Sequence, residues 1–392
     1  MTAEIILWTT VFFMVYTYLL YPTYVLLSAV RAGRLNHSTS NSNSNSNSAL
    51  PFVSIIMTVF NEEKVIKKKI ESLLATDYPP ESFEVIIGSD ASYDSTDSVI
   101  SIFKMSSENI IFYRSEKRKG KAAMLNDLVI QAKGEILIIT DANVIPDNDA
   151  IRLLAVQFSN PMTGLCDATV RTSNRNNLGI TQQENFYTWF ETVLKRAEGD
   201  AWGTMTGPYG GFYAVRRTLF PILPENLLVD DLFVGRTALK HGYLSFNVRE
   251  AIVFEDTPPE IYDQFLRRVR IAAGAFQNLF YFGPFPGKSI QSSFCFFSHK
   301  VLRWFTPLLI TLVFMTTIIL SGHSLFYFCL LSLQLIFIFL SALDMVLNWV
   351  GTTLRPLRFA TQFIMMNAAL AAGFVKALKG IKRGIWEPTK RI

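Results

Sequence analysis

Between Val53 and Asp141 short apolar runs alternate with runs of helical spacing, and this alternation constrains the chain more than any other feature. VSIIMTVF (53–60), EVIIGSD (84–90), IIFYRS (110–115) and EILIITD (135–141) have the composition of buried strands. NEEKVIKKKIESLL (61–74), STDSVISIFKM (95–105) and KAAMLNDLVIQA (121–132) lie between them. In the first, Val65, Ile66, Ile70 and Leu73-Leu74 recur at helical spacing; the second opens on a Ser-Thr-Asp capping cluster. Strands joined through helices by short connectors predict a parallel, doubly wound α/β sheet. Such sheets bind ligands beyond the carboxyl ends of their strands. Three of those ends carry Asn61, Asp90 and Asp141.

Half of the 392 residues are hydrophobic, and the excess lies at the two ends. Residues 5–30 run without a charge, long enough to span a bilayer core of about 20 apolar residues. Glu4 stands before this run and Arg31 and Arg34 behind it, which fits an uncleaved anchor better than a cleavable leader. The bias of basic residues then puts Arg31 and the chain beyond it on the cytoplasmic side. Residues 304–321 and 324–343, separated by Gly322-His323, predict a transmembrane hairpin. Residues 359–375 are weaker, and a basic tail succeeds them. We expect a tilted or interfacial helix there, with the tail cytoplasmic. Residues 36–48 are low-complexity Asn/Ser and predict a flexible tether. The expected organisation is an anchor (1–35), a linker (36–50), a cytoplasmic α/β domain (51–298) and a C-terminal membrane region with its tail (299–392). Three widely spaced cysteines and four scattered histidines suggest neither a disulfide framework nor a zinc site. The net charge of +5, with basic clusters near membrane ends, fits anionic lipid headgroups more simply than nucleic acid.

Within the middle region Asp141-Ala142-Asn143 places two oxygen-bearing side chains two apart, just past a strand. Alone this is as readily a turn; beside other rim acids it suits a hard cation such as Mg²⁺ or Mn²⁺. Asp90 comes too early to cap the helix after it and is placed to accept the N3–H of a uracil ring. The basic run 117–121 ends on Lys121, which fits either solvated surface or a diphosphate. TGPYGGFYAVRR (206–217) is a Gly-rich turn entering a strand, where Gly210 and Gly211 permit close backbone approach. Asp230-Asp231 heads an amphipathic helix. One acid is free to satisfy the helix end while the other faces substrate. Arg267 and Arg270 share a helix face and Arg268 lies about 100° round it; their forks suit phosphate oxygens or a membrane surface.

Taken together these residues resemble the family 2 glycosyltransferases of GT-A fold, and the membrane-integrated branch that includes cellulose, chitin and hyaluronan synthases. The likeness covers residues 51–274. VSIIMTVFNEE supplies the opening strand and nucleotide turn (Phe60, Asn61, Glu62), and IIGSDAS the uracil-contacting Asp90. GKAAMLN supplies Lys121, and Asp141-Ala142-Asn143 the metal motif with Asn in its last place. Asp230-Asp231 is similar to the Glu-Asp pair whose second member is the base. RRVRI (267–271) stands for the Q-x-x-R-W block, with Arg267 for Gln and Ile271 for Trp. WEPTKR (386–391) resembles the Trp-containing tail of related membrane transferases.

The resemblance implies inverting transfer from a nucleotide-diphosphate sugar, a UDP-sugar by expectation. Asp231 is then the base, Asp141 and Asn143 hold Mg²⁺ or Mn²⁺, and Arg267, Arg268 and Arg270 lie near diphosphate or acceptor. The anchors imply a lipid-linked or glycan acceptor, membrane lipid as a further partner, and work beside polysaccharide assembly or export proteins at the cell membrane. The missing Trp favours single transfer over a processive synthase. An inactive nucleotide-sugar-binding scaffold is the alternative of another class. A pure transporter fits poorly, because Asp344 is the one charge within the C-terminal apolar segments and a transport path usually shows several.

Overall fold

The computed structural model describes residues 1–32, 50–172, 180–255, 261–284, 288–352 and 354–385. The Asn/Ser stretch 36–48 and the WEPTKR tail lie outside these. One eight-stranded sheet runs in the order β3-β2-β1-β4-β7-β6-β8-β5. Its strands are β1 (Val53–Val59), β2 (Phe83–Ser89), β3 (Ile110–Arg114), β4 (Ile136–Thr140), β5 (Val144–Pro146), β6 (Thr163–Thr172), β7 (Phe212–Arg216) and β8 (Leu244–Glu255). β3, β2, β1 and β4 are parallel, as the alternation predicts. The other half is mixed. β7 is antiparallel to both β4 and β6, β8 is parallel to β6, and β5 antiparallel to β8.

Every residue of β1, β2 and β4 is buried, because both faces are covered. Alternate residues go to opposite faces. Ile55, Met57, Val85, Ile87 and Ile138 meet Ile66 and Ile70 of helix α2 (Ile66–Leu74) on one side. Ile56, Ile86, Leu137 and Ile139 meet Leu125 and Leu128 on the other. The expected helix 61–74 begins only at Ile66, because Asn61 has φ +53 and residues 61–65 form a turn at the sheet rim.

The apolar ends form helices that pack on this domain. Helix α1 (Thr2–Arg31) and the later Leu325–Trp349 and Pro356–Leu378 are long and apolar enough to cross a membrane. The pair Ile290–Trp304 and Thr306–Leu320 bends by 56° at its break. The Glu4 carboxylate accepts from Tyr327 Oη at 3.2 Å and Tyr18 Oη lies 2.9 Å from Thr306 Oγ1, so α1 runs antiparallel to Thr306–Leu320. Asp344 is fully buried and partnered by Arg358 Nε at 3.3 Å and Thr361 Oγ1 at 2.7 Å. The last long helix (Arg355–Leu378) lies along Ile261–Phe282, with Phe374 tilted against Phe276 at 4.9 Å. Beyond it the Ile381 carbonyl accepts from Asn226 Nδ2 at 2.8 Å, so residues just past the helix rest on the α/β domain.

Gly373 makes that helix contact. A Cβ there would stand 2.5 Å from Ala272 Cβ and 2.8 Å from Ala273 N. Gly373→Ala is therefore expected to destabilise the chain by ~1–3 kcal/mol through overpacking against backbone. Gly322→Ala, where a Cβ meets nothing within 4 Å, is expected to leave the detergent-solubilised Tm unchanged.

Candidate active site

Parallel strands of matched register end together, so β1, β2 and β4 deliver Asn61, Asp90 and Asp141 to one rim. β7 pairs with β4 through Thr140 and Phe212, which brings the glycine turn to the same place. Asp141 N donates to the Gly211 carbonyl at 3.1 Å and Thr140 Oγ1 to the same oxygen at 3.0 Å.

The acids converge on one cation. Lys121, first residue of helix Lys121–Gln131, reaches Asp141 Oδ1 at 3.0 Å and Asp230 Oδ1 at 3.2 Å. It meets carboxylates rather than standing open to a diphosphate. Burial opposes its charge, but Asp141, Asp230 and Asp231 outweigh that and raise its pKa. Burial likewise opposes the charge of Asp141, and Lys121, Arg270 and Arg267 overcome it and hold its carboxyl low. Asp230 is also met by Tyr213 Oη at 3.5 Å.

Asp231 differs from its neighbours. Burial, then the adjacent Asp230, push its carboxyl up to about 7, with Lys121 pulling the other way. It rests against Gly210, where a Cβ would stand 2.7 Å from Asp231 Oδ2 and 2.8 Å from Cγ. Asp231 accepts from the Leu232 backbone N–H in the first turn of the helix the two acids open, Asp230–Lys240. They diverge toward Lys121 and toward the glycine turn. A carboxylate poised near neutrality at the rim of a sheet can take a proton from a hydroxyl.

The rim above β1 and β2 is laced shut. Asn61 N donates to Ser92 Oγ at 3.1 Å, Tyr93 N to Asn61 Oδ1 at 3.1 Å, and Glu62 N to Thr96 Oγ1 at 2.8 Å. Asp90 is fully buried. It accepts from Lys119 N at 2.7 Å, Gly120 N at 2.9 Å and Arg118 Nε at 3.2 Å. The Arg118 guanidinium stacks over the Phe60 ring, 3.2 Å from its centroid. Asp90 here holds the basic loop in place, and a ring seeking its carboxylate meets Arg118 first.

Arg267 Nη2 lies 3.2 Å from Glu255 Oε1. Glu255 also accepts from Tyr209 Oη at 2.7 Å and from Asn143 Nδ2 at 3.2 Å. Arg270 makes no hydrogen bond or ion pair among the described residues; burial and the neighbouring Arg267 lower its pKa. Arg268 is half-buried, further round the same helix. Glu255 has no motif in the sequence to mark it, and Tyr209 and Tyr213 lie within the Gly-rich turn without being singled out there. Lys69 has no motif either. It is fully buried beneath Asp141, donates to Thr140 Oγ1 at 2.8 Å and to the Val144 carbonyl, and burial lowers its pKa to about 7.

Among the described residues no group of three or more His, Cys, Asp or Glu forms a metal cluster. The donors fit a cation held partly by its ligand. The Asp141 side chain is 41% exposed, and Asn143 turns its amide nitrogen to Glu255. One carboxylate with phosphate oxygens is a common setting for a hard divalent ion.

The family model described as "Glycosyl transferase family 2" matches residues 54–221, and "Glycosyl transferase family group 2" matches 186–343. Together the two matches run from residue 54 to residue 343, and the chain belongs to glycosyl transferase family 2. It is similar to the dolichyl N-acetyl-alpha-D-glucosaminyl phosphate 3-beta-D-2,3-diacetamido-2,3-dideoxy-beta-D-glucuronosyltransferase of Methanococcus voltae, 40% identical over 103 residues, 26% of this chain and 32% of that protein. The poly-beta-1,6-N-acetyl-D-glucosamine synthase of Staphylococcus epidermidis is 25% identical over 230 residues, 58% of this chain and 55% of that protein. The match thus spans a third to about half the length of these relatives. A mannosyltransferase from Pyrobaculum calidifontis, solved with GDP-Man and Mn²⁺, shares the fold at TM-score 0.71 and 22% identity, over 96% of this chain and 99% of that one.

Three outcomes are expected from the geometry of Asp231. A general base at Asp231 acts deprotonated, so kcat is expected to fall as pH drops through about 7, by roughly tenfold per unit well below it. Lys121→Met removes the charge that opposes this rise and moves the midpoint upward in a pH–rate profile. Gly210→Ala, which forces Asp231 aside, is expected to lower kcat by about 100-fold with little change in donor KM.

Proposed function

We propose that the chain transfers a single sugar, with inversion, from a nucleotide-diphosphate sugar to a hydroxyl of a membrane-delivered acceptor. The observation that carries this is Asp231: a carboxylate with its pKa near 7, seated on the glycine turn beside the Asp141–Lys121–Asp230 cluster. Asp231 takes the acceptor proton as the oxygen attacks C1. The bond from C1 to the diphosphate oxygen breaks on the opposite face, and the nucleoside diphosphate leaves with that electron pair. An α-linked donor thus gives a β-linked product. Arg270, without a partner among the described residues, and Arg267 lie where the diphosphate charge builds; both act on Asp141. Asp141 and the Asn143 amide oxygen would hold Mg²⁺ or Mn²⁺, which when bound neutralises charge on the departing diphosphate. Phe60, Asn61, Glu62 and the Asp90 loop form the wall that receives the base, and the donor must move Arg118 to reach it.

Two features support a lipid-linked or glycan acceptor at the membrane. Apolar helices lie against the catalytic domain, and the Methanococcus relative is named for a dolichyl phosphate-linked sugar. Ile271, where processive enzymes are expected to carry Trp, is 43% exposed and favours single transfer. The membrane arrangement we propose has α1 crossing once and Thr306–Leu320 with Leu325–Trp349 crossing as a hairpin. Leu325–Trp349 starts beside the α1 N-terminus and its 25 residues return the chain toward the catalytic domain. The last helix then lies tilted or in the interface, with its tail on the catalytic, cytoplasmic side.

The test is purified full-length chain in detergent with Mn²⁺ and a panel of UDP-, GDP- and dTDP-sugars, reading nucleoside diphosphate release. Release from one donor, lost in Asp231→Asn although that variant still binds the donor by calorimetry, is the expected result. Binding of none of these donors by the parent would overturn the assignment.

A further inference from the structure

Glu198 lies in the C-terminal part of helix Ile180–Trp202 and is fully buried, outside the acid cluster. Its carboxylate is met by three elements. Oε1 accepts from Tyr21 Oη of the anchor helix at 2.7 Å and lies 2.7 Å from His299 Nδ1. Oε2 accepts from Thr206 N at 3.1 Å and Thr206 Oγ1 at 2.6 Å. Thr206 opens the glycine turn that ends on Gly210 and Gly211. The same helix holds this turn at a second point. Lys195 pairs with Asp167, which accepts from Tyr209 N.

The anchor and the partner helix are both shaped for this contact. α1 passes through a wide π-type turn at Tyr16–Leu20, just before Tyr21-Pro22, where Pro22 cannot donate the next helical bond. The helix bearing His299 has its own wide turn at Phe296–Val301. Such turns reaim side chains and recur at functional sites. Here the two face each other, with Tyr16 Oη 2.8 Å from Ser298 Oγ and Tyr21 reaching past to Glu198.

We propose that Tyr21 is a positioning residue for Asp231, acting through Glu198 and Thr206, so that the membrane anchor completes the active site rather than tethering it. This rests on Asp231 as the base. A buried carboxylate keeps its place only while its donors are in place. Removing the phenol hydroxyl loosens Glu198, then the Thr206 end of the turn, and with it the Gly210 seat of Asp231. Binding of the nucleotide, at the other end of the sheet rim, is untouched.

The experiment compares full-length Tyr21→Phe, Thr206→Ala and the double variant with the parent, in lipid nanodiscs. Tyr16→Phe, which disturbs the same helix contact without touching Glu198, is the control. Tyr21→Phe and Thr206→Ala are each expected to lower kcat by about tenfold, of the order of one charge-assisted hydrogen bond, with donor KM within about twofold. The double variant is expected to be no worse than the weaker single, because both act through one carboxylate. Amide hydrogen exchange over residues 204–211 is expected to quicken in Tyr21→Phe and not in Tyr16→Phe, at unchanged Tm. Additive losses, or a Tyr21→Phe protein indistinguishable from Tyr16→Phe in turnover and exchange, would overturn the proposal. The exchange arm needs no substrate, so it is decided even if the transferase reading fails at Asp231→Asn.

Discussion

Three carboxylates from two elements crowd one rim, and a single ammonium allows it. Unpaired, Asp141, Asp230 and Asp231 would repel one another and carry a desolvation cost of several kcal/mol per buried ion. Lys121 bridges two of them within 3.2 Å and its field reaches the third. Its effect is uneven, and the unevenness is what matters. Asp141, helped by Arg267 and Arg270, stays ionised, whereas Asp231, lacking a direct cation, is left near neutrality. One lysine thus separates a permanently charged carboxylate from one able to exchange a proton, the division of labour that acid–base chemistry at pH 7 requires.

The parallel half of the sheet was legible because its signals are local. Short apolar runs and helical spacing reside in the residues themselves, and β1 to β4 appear within a residue or two of the expected limits. The other half was not, because the insertion of β7 between β4 and β6 is a long-range pairing with no periodicity to announce it. The same divide runs through the site. Asp90, Asp141 and Asp231 stand next to recognisable patterns. Glu255 sits at the end of a strand whose neighbours are far off in sequence, and its link to Asn143, Tyr209 and Arg267 exists only after folding. Lys69 was hidden in another way. It belongs to a run of lysines that reads as a solvated helix face, yet this one turns inward beneath Thr140.

The apolar ends of the chain join the catalytic domain through chemistry that hydropathy does not register. Tyr21 and Val25 of α1 pack with Leu194 and Ala197, and Phe276 gathers Phe296, Trp304, Phe305 and Phe374 from the later helices. Glu191 is held by His299, Lys300 and Arg303 where these helices meet the domain, and these partners keep its carboxyl well below the usual range despite burial. A boundary so heavily bonded moves as one piece with the domain. Helices Ile180–Trp202 and Ile261–Phe282 are therefore held by the apolar helices as well as by the α/β domain.

Strain is confined to the rim where flexibility is useful. Asn61 and Ala91 are the two non-glycine residues of the described chain with positive φ, at +53 and +59, and they sit just past the ends of adjacent strands β1 and β2. The left-handed region costs about 1–2 kcal/mol for a residue bearing a Cβ, less for Asn, whose side chain can bond locally. Asn61 does so through Tyr93 N, whereas Ala91 has no such group. Its conformation is instead imposed by the lattice of Ser89, Ser92 and Asn61 around it. Strands β1, β2 and β4 beneath are fully buried, so this edge can be remodelled without disturbing the acid at the end of β4. Cross-strand bonds and the Arg118 stack on Phe60 hold it, and each is worth little alone. A wall that yields by local steps, standing beside the carboxylate proposed as base, is an arrangement that suits an enzyme admitting a large ligand.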